Sequence, residues 1–237
     1  MSVGRALPAP AGKHGTIEPR TKYGGSHCEK GTPGTMRLIA ALSVAGLLLT
    51  AGSATAGSAA PHEPDMVAAT CSPCHGNRGI SPTAWFPDLA AQTKSYIKTQ
   101  LENFRDHKRG DHYAKAYMWS IAGALPNKTA DKIAAYFSAL PPPKGSTGGN
   151  PTRVAAGTTI FKQGIASQDV PPCGACHGDK AAGTSIAPRL AGQHREYLFA
   201  QLQAFRSNAR KNAIMHGNVK HMTDRQMHDV AAYLASL

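Results

Sequence analysis

Apolar side chains recur at helical spacing in two places along the chain, and the two places match. Tyr96, Ile97, Leu101 and Phe104 share a stripe with Gln100, and Tyr197, Leu198, Leu202 and Phe205 form a second stripe near i, i+4, i+8 spacing. The last segment has a sharper start, because Thr223 is followed three residues later by Gln226, the pattern of a capping box. Met222 before that cap and Met227 after it form a hydrophobic staple. No stretch alternates convincingly with period two, so the pattern predicts an all-α chain.

The stripes belong to a longer repeat. Pro87-Asp88-Leu89-Ala90-Ala91-Gln92 answers Pro188-Arg189-Leu190-Ala191-Gly192-Gln193, and Gln100-Leu101-Glu102-Asn103-Phe104-Arg105 answers Gln201-Leu202-Gln203-Ala204-Phe205-Arg206, both at an offset of 101. The ends, Ala134 to Leu140 and Ala231 to Leu237, match at an offset of 97. Between the copies, Pro141 to Pro151 is rich in proline and glycine and reads as a linker. The expected organisation is therefore one domain over residues 60–140, a linker over 141–152 and a second domain over 153–237. Each is small enough that an enclosed prosthetic group would supply much of its apolar contact.

Each copy carries one C-x-x-C-H motif, Cys71-Ser72-Pro73-Cys74-His75 and Cys173-Gly174-Ala175-Cys176-His177, the attachment signature of a c-type haem. Two cysteines three apart lie on one face of a helical turn and can each form a thioether to a haem vinyl, and the following histidine then lies under the iron. A zinc site is the alternative, but a histidine fused to the second cysteine strains a shared tetrahedron. The reading is two covalent haem c groups on Cys71, Cys74, Cys173 and Cys176, with His75 and His177 as iron ligands. Cys28 lies outside both motifs, and no disulfide is expected.

A sixth ligand can be sought among the methionines, since methionine at that position favours electron transfer. Met66 is too close to the first motif to reach the opposite face, which leaves Met118. Moving Met118 by 97 gives Met215, whereas moving Leu125 by 97 gives Met222, so Met222 holds the place of a core leucine. Met118 and Met215 are the candidates. His107, His112, His194, His216, His221 and His228 have no matching histidine in the other repeat, and His216 and His221 stay as competing ligands beside the second distal segment.

Met36-Arg37, the apolar run Leu38 to Leu49 and Ala54-Thr55-Ala56 follow the order of a secretory signal peptide, here residues 36–56. Residues 1–35 are polar and Gly/Pro-rich, and translation is expected to begin at Met36. The apolar run is too short to span a bilayer, so the expected location is the periplasm. The chain has a formal net charge of +12. Residues 60–140 hold 9 basic and 7 acidic side chains and residues 153–237 hold 10 and 5, so the second half is the more basic. An exported haem protein meets little nucleic acid, and an acidic protein surface is the expected partner of Arg195, Arg206, Arg210, Lys211 and Lys220. A solvated surface with no partner stands as the alternative. Arg206, repeated as Arg105, is alternatively a partner for a haem propionate.

With these motifs in view, the chain resembles the dihaem cytochromes c4 over nearly all of residues 60–237. The resemblance implies two class I cytochrome c domains related by an approximate twofold axis, with haems near their interface. It implies that the Pro87 and Pro188 carbonyls orient the ligand histidines and that Leu89 and Leu190 pack on the haems. The first copy has little chain before Cys71 and is expected to have a short leading helix and the lower stability, whereas the second has Gly157, Ile160 and Phe161 there. Ala91 stands where the second copy has Gly192, with no functional meaning legible in the sequence.

The expected function is electron transfer rather than catalysis. By resemblance, the partners are a quinol-oxidising complex or dehydrogenase upstream and a terminal oxidase downstream, and contact with the membrane is through them. A haem subunit of a dehydrogenase complex, such as a flavocytochrome, is the alternative. A dihaem peroxidase requires an open or displaceable iron site, against which a methionine in register in both halves argues.

Overall fold

A computed structural model describes residues 63–147 and 149–237. The leader, signal peptide, Cys28 and cleavage site expected above lie outside the described residues. Among the described residues the chain is helical, without a strand, and no helix is long and apolar enough to cross a membrane.

In the first half, a π-helical turn Val67–Cys71 leads into the short helix α1 (Ser72–His75), followed by α2 (Lys94–Arg105), α3 (Trp119–Gly123) and α4 (Asn127–Ser138). The second half contains α5 (Pro151–Gln163), α6 (Gly174–His177), α7 (Arg195–Arg206), α8 (Ala213–Val219) and α9 (Asp224–Ser236). The apolar stripes of α2 and α7 face inward as their spacing requires, burying Ile97, Leu101 and Phe104 in one core and Leu198 and Phe205 in the other. Each half closes its own hydrophobic cluster.

The capping box forms at α9. Thr223 Oγ1 accepts from Gln226 N at 3.3 Å and Gln226 Oε1 accepts from Thr223 N at 2.8 Å, with Met222 and Met227 both buried. Helix α5 starts at Pro151, inside the segment read as linker. Asn150 Oδ1 accepts from the Thr152 and Arg153 amides, and proline at the first helical position has no N–H left to satisfy. Helices α5 and α9 form the most extensive helix pair, and Gly157 lets them touch: a Cβ there would lie 2.0 Å from the Asp229 carbonyl oxygen.

The described parts of both halves belong to one compact unit, joined by contacts that repeat with the sequence offset. Gly110 N donates to Ala209 O at 2.7 Å, and Lys211 N donates to Lys108 O at 3.1 Å. Between these bonds Arg109 and Arg210 face each other as an isolated antiparallel bridge. Arg109 reaches Gln201 Oε1 at 2.9 Å and Tyr197 Oη at 3.2 Å, while Arg210 reaches Gln100 Oε1 at 2.7 Å and Tyr96 Oη at 2.5 Å. Each guanidinium also stacks on a phenylalanine of its own half, Phe104 or Phe205. Asp111, 3.0 Å from Arg109, supplies a carboxylate, and this pairing with its neighbouring Arg210 holds the acid below the usual range against the opposing effect of burial.

Candidate functional site

The two C-x-x-C-H motifs form equivalent turns. Cys71 and Cys173 stand at the N-caps of α1 and α6, and His75 and His177 are the last residues of those helices, each buried. A side-chain hydroxyl ties each turn from the loop that follows, Ser81 Oγ to Cys74 O at 3.2 Å and Thr184 Oγ1 to Cys176 O at 2.7 Å.

Both histidines point the same ring nitrogen at the same backbone group. His75 Nδ1 donates to Pro87 O at 2.8 Å, and His177 Nδ1 donates to Pro188 O at 2.9 Å. A proton on Nδ1 leaves the Nε2 lone pair for a metal. Burial lowers the pKa of both rings, partly offset by the carbonyl bond, and so favours the neutral imidazole, the form able to ligate a metal. Burial also pushes the free Cys71 and Cys173 thiols up to about 11, an environment that suits an uncharged sulfur such as a thioether. Among the described residues no three His, Cys, Asp or Glu side chains converge as a metal-ion site.

Leu89 and Leu190 are half-buried against their respective cores, as are Met118 and Met215. Met118 ends the π-helical turn Ala114–Met118, and Met215 lies in α8, whose N-cap Asn212 accepts from the Met215 amide. Of the histidines left open as ligands, His216 directs Nδ1 at the Phe205 carbonyl, 2.9 Å away, and His221 is exposed.

One expectation about the arginines is corrected. Arg210 is 6% exposed and locked between the halves, so it is no docking residue. Arg206 and Arg105 brace the turn before the last helix of each half: Arg206 donates to Met222 O and Asp224, Arg105 to Leu125 O and Asn127. Sequence reasoning also passed over Gln92 and Gln193. Their signal was present, a glutamine repeated at an equivalent place in each copy, and both prove buried.

The family model described as cytochrome c matches residues 154–237. Cytochrome c-552 of Acidithiobacillus ferridurans is 41% identical over 196 residues, 81% of this chain and 84% of that protein. A protein of Thiomonas intermedia named thiosulfate dehydrogenase electron acceptor is 33% identical over 208 residues, 85% of this chain and 91% of its own. The solved cytochrome c4 of Acidithiobacillus ferrooxidans superposes with a TM-score of 0.68 at 40% identity, covering 71% of this chain and 99% of the other. Duplicated motifs, duplicated histidine–proline bonds and these likenesses agree: the chain belongs to the dihaem cytochrome c4 family, all-α electron-transfer proteins of two class I domains with two covalently attached haem c groups.

Proposed function

We propose that Cys71 and Cys74 carry one haem and Cys173 and Cys176 the other, with His75 and Met118, and His177 and Met215, as the two axial pairs. The observation that carries this reading is the pair of Nδ1 bonds to Pro87 and Pro188, which orients both rings alike. Bound haem supplies a one-electron Fe(II)/Fe(III) couple. The protein's own groups do the rest: the carbonyls fix the imidazoles, Leu89 and Leu190 exclude water, and the methionine sulfurs favour electron transfer over substrate chemistry. The long-wavelength sulfur-to-iron band should fall by half in Met118→Ala and in Met215→Ala, and stay whole in Met222→Leu. A loss in Met222→Leu would overturn the assignment.

The proposed domains are 60–140 and 153–237, in a periplasmic protein freed of residues 1–56. Intact mass of the exported form, beginning near Gly57 and carrying two haems, tests this. Electrons pass from a quinol-oxidising complex or dehydrogenase to a terminal oxidase. The exposed basic groups of the second half, Lys211 and Lys220, meet an acidic partner surface. Transfer rates should then fall as salt rises, and charge reversal at these lysines should slow them more than reversal at Lys94 and Lys98. A relative named as the electron acceptor of thiosulfate dehydrogenase favours a second reading, service to one dedicated dehydrogenase. Co-purification separates the two.

A further inference from the structure

The peptide group joining Pro87 to Asp88 is bonded at both ends. Its carbonyl oxygen accepts from His75 Nδ1 at 2.8 Å, and its N–H donates to Gln193 Oε1, in the other half, at 3.0 Å. The second half mirrors this. The peptide joining Pro188 to Arg189 accepts from His177 Nδ1 at 2.9 Å and donates to Gln92 Oε1 at 2.9 Å. Each glutamine completes the contact with its amide nitrogen, Gln193 Nε2 to Asp88 O at 2.9 Å and Gln92 Nε2 to Arg189 O at 2.9 Å. Both side chains are buried, and each Oε1 also accepts the next amide of its own loop, Thr93 N or His194 N, which fixes its direction.

We propose that Gln92 and Gln193 are crossed positioning residues: each sets, through one peptide group, the hydrogen bond behind the iron-ligating histidine of the opposite half. An acceptor on a peptide N–H polarises that amide and makes its carbonyl the better acceptor. Gln193 therefore strengthens the Pro87 bond to His75, moves electron density onto the imidazole and favours the oxidised iron of the first half. Gln92 does the same for His177. A glutamine used only to glue the halves together would have no reason to choose the peptide that already holds the ligand. The inference rests on the assignment of His75 and His177 as iron ligands.

The test is a redox titration of the holoprotein followed by NMR, with each haem resolved and the histidine ring N–H resonances assigned. In Gln193→Leu, the first-half haem should become easier to reduce, its Fe(II)/Fe(III) ratio at the wild-type midpoint rising by up to about twofold, the fraction of one hydrogen bond that polarisation through the peptide adds. The reduced-state His75 Nδ1–H resonance should move upfield, while the second-half haem changes less. Gln92→Leu should give the mirror image. Gln193→Glu keeps the acceptor and should keep the His75 resonance downfield, even if the loss of the Nε2 donor loosens the halves. Larger effects on a variant's own haem, equal effects on both haems, or unmoved ring N–H resonances overturn the proposal while leaving the ligand assignment intact. If the wild-type protein lacks two haem-ligated histidine ring N–H resonances, the ligand assignment fails and the proposal with it.

Discussion

Among the described residues, the first half enters its C-x-x-C-H turn through the single π-helical turn Val67–Cys71, whereas the second enters through the 13-residue helix α5, seated on α9 across Gly157. The halves also place glycine oppositely at two left-handed positions. Gly79 (φ +71°) corresponds to Ala181 (φ +52°), and Ala91 (φ +54°) corresponds to Gly192 (φ +74°). At the first position the surroundings explain the choice, since a Cβ on Gly79 would lie 2.8 Å from Phe137, and the second half has the smaller Leu234 in register with Phe137. At the second, alanine is a strained residue where glycine would rest easily. What surrounds the two C-x-x-C-H histidines is duplicated closely, and what braces them has drifted, with each half keeping its own mixture of strain and relief.

The comparison breaks most visibly at Gly157. A Cβ there lies 2.0 Å from the Asp229 carbonyl and 2.9 Å from Tyr233 Cβ, so Gly157→Val should force α5 from α9 and cost about 3 kcal/mol in denaturant unfolding of the holoprotein. A cost below 1 kcal/mol would mean that the crossing is soft. Next in size is Gly79→Ala, which adds left-handed strain to the Phe137 contact and should cost about 2 kcal/mol. Combining it with Phe137→Leu imports the other half's solution and should cost less than the sum of the single changes in a double-mutant cycle.

Ala91→Gly should act in the opposite direction and stabilise the first half by about 0.5–1 kcal/mol, since relief of strain exceeds the entropy that glycine adds to the unfolded chain. No gain in the unfolding midpoint would remove strain as the reason the halves differ there. The smallest effect concerns pH. His194 Nε2 lies 3.4 Å from Asp88 Oδ1 across the halves, an ion-pair distance, and the carboxylate raises the histidine pKa against the opposing effect of burial. A raised folded pKa stabilises fully below the unfolded value near 6.5 and fades as pH climbs through the folded value. His194→Gln should flatten the stability profile above about pH 6.5, read by unfolding at stepped pH.

The helices, the paired motifs and the register of Met118 with Met215 were legible because each leaves a local or repeating trace in the sequence. The partners of Arg210 were not. Its charge sits beside Lys211 in a basic stretch and reads as surface, yet it is buried by Phe205 of its own half and by Tyr96 and Gln100, more than 100 residues away. Ala91 was opaque for a different reason, because a positive φ is a property of the backbone that alanine does not announce. Gln92 and Gln193 were visible as a repeat and silent as to use, since their bonds depend on how two copies of one fold face each other.

The joint built on Arg109 and Arg210 carries a consequence for assembly. Each half offers the other the same patch it receives, so the contact is isologous within a single polypeptide, closed by pairs such as Gly110 with Ala209 and Lys211 with Lys108. A contact of this symmetry is saturated once made and cannot propagate head to tail. The chain occupies its own dimerisation surface, and growth into higher assemblies through that surface stops at one molecule.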